Sequence, residues 1–414
     1  MKVKISPFSA SGEIVAPPSK SVAHRLIISA LLKKGKTLIK NVGSSADVLA
    51  TLSCVKNLGA NVIKTADGVL IEGVTKPLKG AVLDCNESGS TLRFLMPVAS
   101  ALGADALFTG SERLMARPSD ALISVLEMHG IKRDGNRLVG KLTSGKFEID
   151  SSISSQYVTG LLLALPILDG DSQIVLKGET VSKDYIEITL SVLEKCGIEY
   201  KKSGYNIFIK GNQEYNLPDE IAVEGDWSGA AFPLVLGAIN GCVTVAGLDT
   251  NSKQGDREIL EIIKKAGAMV KVDGDKVTVS TSELVAFKQN FENIPDLAPI
   301  CAVLASVANG ESRFSGIERL KIKESDRVLT TLAILKVAGI FAKEENGEIV
   351  INGGKIQGGI YDGANDHRIV MSEAVISSVA SGDSVIIGSG AIAKSYPEFF
   401  EHLRLLGGKI NGDI

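Results

Sequence analysis

Residues 188–211, ITLSVLEKCGIEYKKSGYNIFIKG, hold the pattern that decides the fold. Apolar residues recur at helical spacing up to Cys196, which reads as an amphipathic helix. Gly197 then supplies the left-handed residue that closes a helix. Two short strands follow, joined by a turn at Gly204-Tyr205-Asn206. The same sentence is written five more times. It recurs in LATLSCVKNLGANVIKTADGVLIEG (49–73), ALISVLEMHGIKRDGNRLVG (121–140), ILEIIKKAGAMVKVDGDKVTV (259–279), TTLAILKVAGIFAKEENGEIVING (330–353) and FFEHLRLLGGKI (399–410). The closing glycines are Gly59, Gly130, Gly197, Gly267, Gly339 and Gly407, spaced by 67 to 72 residues.

A second landmark keeps the same period. HRLIISALLKKGKTLIKNVG (24–43) and SGAAFPLVLGAINGCVTVAG (228–247) represent six strongly apolar helices, each followed by a strand and ending at Gly43, Gly110, Gly178, Gly247, Gly316 or Gly388. A helix apolar on all sides belongs in an interior. The unit is therefore a leading strand, a buried helix, a strand, an amphipathic helix and two strands, present six times. Three units make a domain of comfortable size. The sequence thus predicts two α+β domains: residues 1–14 with 226–414, and an inserted domain of residues 15–225. The first strand, residues 2–8, precedes the first full unit and is a candidate to pair with the second half. The cleft between two such domains is the default place for a ligand.

Composition limits the function. The chain is 44% hydrophobic and 22% charged, the balance of an ordinary globular protein rather than a disordered one. A net charge of −3 and a pI near 6.0 give no global attraction to nucleic acid or an anionic membrane. No stretch approaches a membrane span, and the N-terminus has no secretory or transit signal, so a cytoplasmic protein is expected. Five scattered cysteines show no metal-ligand spacing. Any anion site must come from local clustering.

Such clustering is present at the helix starts. The segments before the apolar helices are PPSKSVAHR, NESGSTLR, SSISSQY, EGDWSG, NIPDLAP and GANDHR. Those before the amphipathic helices are SSADVLA, MARPSDA, VSKDYIE, KQGDREI, IKESDRV and AKSYPEF. Unpaired N–H groups and the positive end of the helix dipole suit phosphate and carboxylate. Ser, Thr, Asp and Asn there are also ordinary N-caps. Capping does not explain Lys20, Arg25, Arg93, Arg117, Lys183, Lys253, Arg257, Lys323, Arg327, Arg368 and Lys394, which oppose the dipole. These cations call for a polyanionic ligand. Asp296 and Glu324 stand among them and suit acid–base work.

In these motifs the chain resembles the enolpyruvyl transferases along its whole length, and within them the branch whose acceptor is shikimate 3-phosphate. PPSKSVAHR, ESGSTLRFL, RLMARPSD, ISSQYVTGLL, VSKDYIEITL, NIPDLAP, KESDR, NDHR and AKSYPEFF occur in the family's order. The resemblance implies two domains of three βαβαββ units each, as an inside-out α/β barrel. It implies addition of a hydroxyl to phosphoenolpyruvate and elimination of phosphate, with no metal or organic cofactor. By resemblance, Lys20, Ser21, Arg25, Ser154, Ser155, Gln156, Ser182, Tyr185, Asp296, Arg319 and Lys323 hold shikimate 3-phosphate. Lys20, Gly89, Arg117, Gln156, Glu324, Arg327, Arg368 and Lys394 hold phosphoenolpyruvate. Asp296 takes the proton of the 5-hydroxyl, with Glu324, Lys20 and His367 as the other proton-handling candidates. Closure of the domains on substrate, a monomeric state and inhibition by glyphosate are further expectations. Glu87-Ser88, Phe94 and Arg319 depart from the common pattern, and Thr91 and Phe94 bear on the strength of inhibition.

Three rival families or roles fit these residues less well. The sister enzymes acting on UDP-N-acetylglucosamine carry a cysteine just before the ARP motif, and GSERLMARP has none. A non-catalytic phospho-ligand scaffold would be expected to lose Asp296, Glu324 or Lys20, which are present. RNA-phosphate cyclases use a nucleophilic histidine in a motif that His24, His129, His367 and His402 do not form.

Overall fold

The computed structural model describes residues 1–150, 154–178 and 183–412. The repeat that holds the quoted stretch shows how each unit is built. Strand Lys146–Asp150 lies parallel to Ser172–Lys177, with Lys146 opposite Gln173. Helix Ser155–Ala164 connects them. Helix Lys183–Lys195 follows, and strands Tyr200–Ser203 and Asn206–Ile209 form the hairpin that pairs antiparallel with Ser172–Lys177. The described residues contain six such sheets, each of four strands. The fold class is α+β, as the periodicity implied.

The helix-closing glycines behave as their spacing predicted. Gly59, Gly130, Gly197, Gly267, Gly339 and Gly407 all have φ between 71° and 110°, a conformation costly for any residue with a Cβ. The six apolar helices are Lys20–Leu32, Gly89–Leu102, Ser155–Ala164, Trp227–Asn240, Ala298–Ser306 and His367–Ser377. Nearly every residue in them is buried.

Three strands enter sheets far away in sequence. Lys2–Ser6 sits between Ser384–Ile387 and Lys409–Gly412, so the pairing of the N-terminal strand with the second half is observed. Ala10–Val15 leads the sheet of Gly241–Ala246, and Glu220–Ala222 leads that of Lys36–Lys40. The chain forms two compact units, Met1–Pro17 with Glu224–Ile414, and Pro18–Val223. Each has its own apolar core, around Trp227 and Phe232 in the first and around Phe108 and Phe147 in the second.

Candidate active site

In the unit of residues 18–223, Arg25 is the hub. It leaves helix Lys20–Leu32 one turn after the start and is 1% exposed. Its Nε donates to Thr189 Oγ1 at 2.8 Å and its Nη2 to Thr159 Oγ1 at 3.3 Å. Among the described residues its other bonds go to the carbonyls of Ser21 (2.6 Å) and Tyr185 (2.9 Å). The guanidinium also lies over the Phe94 ring, 5.0 Å from its centroid. One side chain thus ties together the helices that bring Ser21, Ser155 and Tyr185. Burial pulls the Arg25 guanidinium down to about 9, because its partners are neutral dipoles rather than carboxylates.

Lys20 Nζ lies 2.9 Å from Asp47 Oδ2, in the first turn of helix Ala46–Asn57. Behind this pair runs a chain of buried hydroxyls: Thr51 and Thr91 at 2.6 Å, and Thr91 to Ser88 Oγ at 2.7 Å. His24 Nδ1 meets Thr51 at 2.7 Å, and burial keeps this imidazole neutral, with Lys20 and Arg25 adding to the effect.

Gly89 opens its helix where the backbone must stay bare. A Cβ there would lie 2.9 Å from Arg117 Nη1 and 3.2 Å from Arg93 Nη1. Arg93 donates to Gln156 Oε1 at 2.7 Å and to Pro118 O at 2.9 Å, and Gln156 Nε2 reaches Ser90 Oγ at 3.1 Å. Gly89, Arg117 and Gln156 are thereby brought together. Ser154 Oγ accepts from Gln156 N at 3.2 Å and so caps its helix, while Ser155 is buried beside it. Ser182 lies outside the described residues.

The other unit is built around a different kind of hub. Arg327 is 1% exposed and meets three carboxylates. Its Nη1 lies 2.7 Å from Asp296 Oδ1 and its Nη2 2.6 Å from Glu324 Oε2. Its Nε and Nη2 clasp the two oxygens of Asp366 at 2.8 and 3.2 Å. Asp296, on the turn Pro295–Leu297, also meets Arg368 Nη2 at 3.1 Å and Lys323 Nζ at 3.4 Å. Burial opposes the charge on Arg327, but Asp366, Glu324 and Asp296 outweigh it and hold its pKa well above the usual range. Lys323 is lowered, chiefly by burial and then by Arg319 and Arg327, against the pull of Asp296.

Arg319 lies in the turn Glu318–Ile322, whose C-terminal cap is Lys323. His367 is buried in the first turn of its helix, and Lys394 Nζ donates to Asn365 O at 2.6 Å. A further carboxyl escaped the sequence reading: Asp256, bonded by Ser228 Oγ. Burial pushes it up to about 7, with Asp296 adding to the rise and Arg368 opposing it. Asp47 and Asp366 were missed as well. Each stands at a helix start, where aspartate reads as a cap, and only its basic neighbour in space reveals more. Among the described residues, no group of three or more His, Cys, Asp or Glu side chains could hold a metal ion. No helix there is long and apolar enough to cross a membrane.

The sequence model of EPSP synthase (3-phosphoshikimate 1-carboxyvinyltransferase) matches residues 6–403. A 3-phosphoshikimate 1-carboxyvinyltransferase of Clostridium novyi is 39% identical over 427 residues, covering 99% of this chain and 98% of its own. That of Clostridium kluyveri is 40% identical over 418 residues with the same coverage. Among solved structures, the EPSP synthase from Acinetobacter baumannii superimposes with a TM-score of 0.84 at 25% identity, covering 100% of both chains. An enolpyruvyl transferase from Streptomyces tendae, at 16% identity and a TM-score of 0.81, shares the fold.

Proposed function

This chain belongs to the EPSP synthase family, and from that premise we propose which of its residues carry the family's reaction. It transfers the enolpyruvyl group of phosphoenolpyruvate to the 5-hydroxyl of shikimate 3-phosphate and releases phosphate, a step of the shikimate pathway. The observation that carries the residue assignment is Asp296, whose carboxylate is shared by Arg327, Arg368 and Lys323.

Asp296 accepts the proton of the 5-hydroxyl as its oxygen bonds to C2 of phosphoenolpyruvate. A proton added at the methylene carbon completes a tetrahedral intermediate. Loss of a proton from the resulting methyl group, with departure of phosphate, restores the double bond. Glu324, Lys20 and His367 handle these second protons. As positive character develops at C2, the ionised carboxylates of Asp296 and Glu324 stabilise it. A carboxylate held by three cations is a weak base in isolation. Substrate anions beside Lys323, Arg327 and Arg368 offset that effect and restore its basicity.

Arg117, Gln156 and the bare backbone at Gly89 hold phosphoenolpyruvate, together with Lys20, Glu324, Arg327, Arg368 and Lys394. Ser21, Arg25, Ser154, Ser155, Gln156, Ser182, Tyr185, Arg319 and Lys323 hold shikimate 3-phosphate, with Lys20 and Asp296. For Arg25 the hydrogen bonds to Ser21 O and Tyr185 O favour an indirect part: it supplies charge and fixes the segments that touch the ligand. The same reading has the enzyme act as a cytoplasmic monomer, with residues 1–14 and 226–414 as one domain and 15–225 as the other. It also makes glyphosate an inhibitor competing with phosphoenolpyruvate. The test is phosphate release from phosphoenolpyruvate with either shikimate 3-phosphate or UDP-N-acetylglucosamine. Release with the shikimate acceptor alone, lost in Asp296→Ala and Lys20→Ala, is the expected result. Release with the nucleotide sugar, or none from folded protein, would overturn the assignment.

A further inference from the structure

Asp366 opens helix His367–Ser377, and its Oδ1 accepts from Arg368 N at 3.0 Å. Capping needs no more than that one acceptor. Asp366 does more. Its Oδ2 accepts from Arg327 Nε at 2.8 Å and from Ser325 Oγ at 2.9 Å, and its Oδ1 takes a further bond from Arg327 Nη2. The carboxylate is fully buried, and so is the arginine it clasps. A two-point clasp fixes the plane of a guanidinium as well as its place. The plane of Arg327 matters, because its Nη1 and Nη2 are the atoms that meet Asp296 and Glu324.

We propose that Asp366 is a positioning residue for the transfer reaction: it grips Arg327 from the protein side so that one guanidinium orients both Asp296 and Glu324. The inference rests on the role given above to those two carboxylates. Ser325 and the helix start lock Asp366, Asp366 locks Arg327, and Arg327 spaces the acid–base pair. Another aspartate at a helix start shows the contrast. Asp326 Oδ1 accepts from Val328 N and Leu329 N, both 3.1 Å away, in the manner of a plain cap.

The proposal makes a signed prediction about pH. The charged and titratable groups that Asp366 faces are Arg327 and Glu324 across the turn, and His367 and Arg368 on its own helix. Glu373 lies about two turns further on, with Asp362 beside that group. Asp296 is reached through Arg327. Neutralising Asp366 removes a like charge near Glu324 and leaves Arg327 more strongly positive toward Asp296 and Glu324. Both changes favour the ionised carboxylates, so both weaken them as bases.

The experiment measures phosphate release by Asp366→Asn and by the unchanged enzyme, with both substrates, from about pH 5 to about pH 9. Asparagine keeps a capping oxygen and loses the charge. The expected result is a kcat lower by roughly 10- to 100-fold, a KM for phosphoenolpyruvate raised several-fold, and an acid limb of kcat/KM moved to lower pH. Folded Asp366→Asn with the limb unmoved would overturn the proposal, even if its thermal midpoint fell, since that is what a purely structural cap would give. If that variant does not fold, Asp366→Glu, which retains the charge at a displaced position, takes its place. A raised KM with an unmoved limb supports the proposal, and unchanged kinetics overturn it. Should neither variant fold, Asp366 is a stability element and the proposal falls. Failure of the unchanged enzyme to release phosphate with shikimate 3-phosphate would instead sink the functional reading.

Discussion

Arg25 in one unit and Arg327 in the other are both 1% exposed, yet they keep opposite company. Arg25 donates to two threonine hydroxyls and two backbone carbonyls. Arg327 is enclosed by Asp296, Glu324 and Asp366. Burial therefore depresses the first guanidinium to about 9, while three carboxylates raise the second despite its burial. A cation partnered only by dipoles keeps its positive field, which is what a phosphate requires. A cation partnered by carboxylates gives up its field and fixes their geometry, which is what proton transfer requires. The repeat is the same in both units; the partner of the arginine differs.

The sharpest way to break this comparison is to remove the base. Asp296→Ala is expected to lower kcat by about 10³-fold or more, within the range for loss of a general base. Phosphate release measured in a single turnover checks this, and a loss below about tenfold would remove Asp296 from the chemistry.

Next come the two arginines. Arg327→Met takes the shared cation from three carboxylates, of which Asp366 is fully buried, at a cost of roughly 3–5 kcal/mol in unfolding free energy. Arg25→Met strands only neutral acceptors, at about 1–3 kcal/mol. The two should also part with pH. Protonating the abandoned carboxylates restores much of the Arg327→Met loss as pH falls, whereas the Arg25→Met loss stays nearly constant. Urea melts at two pH values decide; equal losses with equal pH dependence would erase the distinction.

Gly89→Ala comes after these. The added methyl would press on Arg117 Nη1, which can move aside, so KM for phosphoenolpyruvate should rise about tenfold while stability changes little. Steady-state kinetics at saturating acceptor check it, and an unchanged KM would separate Arg117 from the donor site.

The smallest effect concerns Glu373, buried on the same helix as Arg368. Asp366, clasped by Arg327, is held below the usual range in spite of its burial. Glu373 has an oxygen with no hydrogen-bond partner, and burial pushes it up to about 9, with Asp362 and Asp366 adding to the rise. A carboxyl raised on folding contributes stability that is complete below its unfolded pKa and is lost as pH climbs through the folded value. Thermal midpoints of the unchanged chain should therefore drift down between about pH 5 and about pH 9, and Glu373→Gln should flatten that drift. An identical slope in the variant would show that Glu373 is ionised in the folded protein.

Most of the fold was legible because it is periodic. Gly59 and its five counterparts require positive φ, and nothing but glycine takes that conformation cheaply, so the punctuation survives in the sequence. Strand exchange was legible only in part. Lys2–Ser6 looked unattached to any unit, but Ala10–Val15 and Glu220–Ala222 gave no sign of their distant partners, since a strand's own residues do not name its neighbour. In the site, the basic residues stood out because they oppose the helix dipole. Asp47, Asp256 and Asp366 did not, because aspartate at a helix start is already explained by capping. A residue whose ordinary role suffices conceals its second one.

The division of labour between the two hubs is tested most directly by Asp296→Asn, with calorimetric affinity for shikimate 3-phosphate measured beside single-turnover phosphate release. The account predicts an affinity within about tenfold of the unchanged enzyme and a turnover lower by about 10³-fold or more. Parallel loss of affinity and turnover would contradict it, because the contact of Asp296 with the acceptor would then account for the whole effect and leave no separate part in proton transfer.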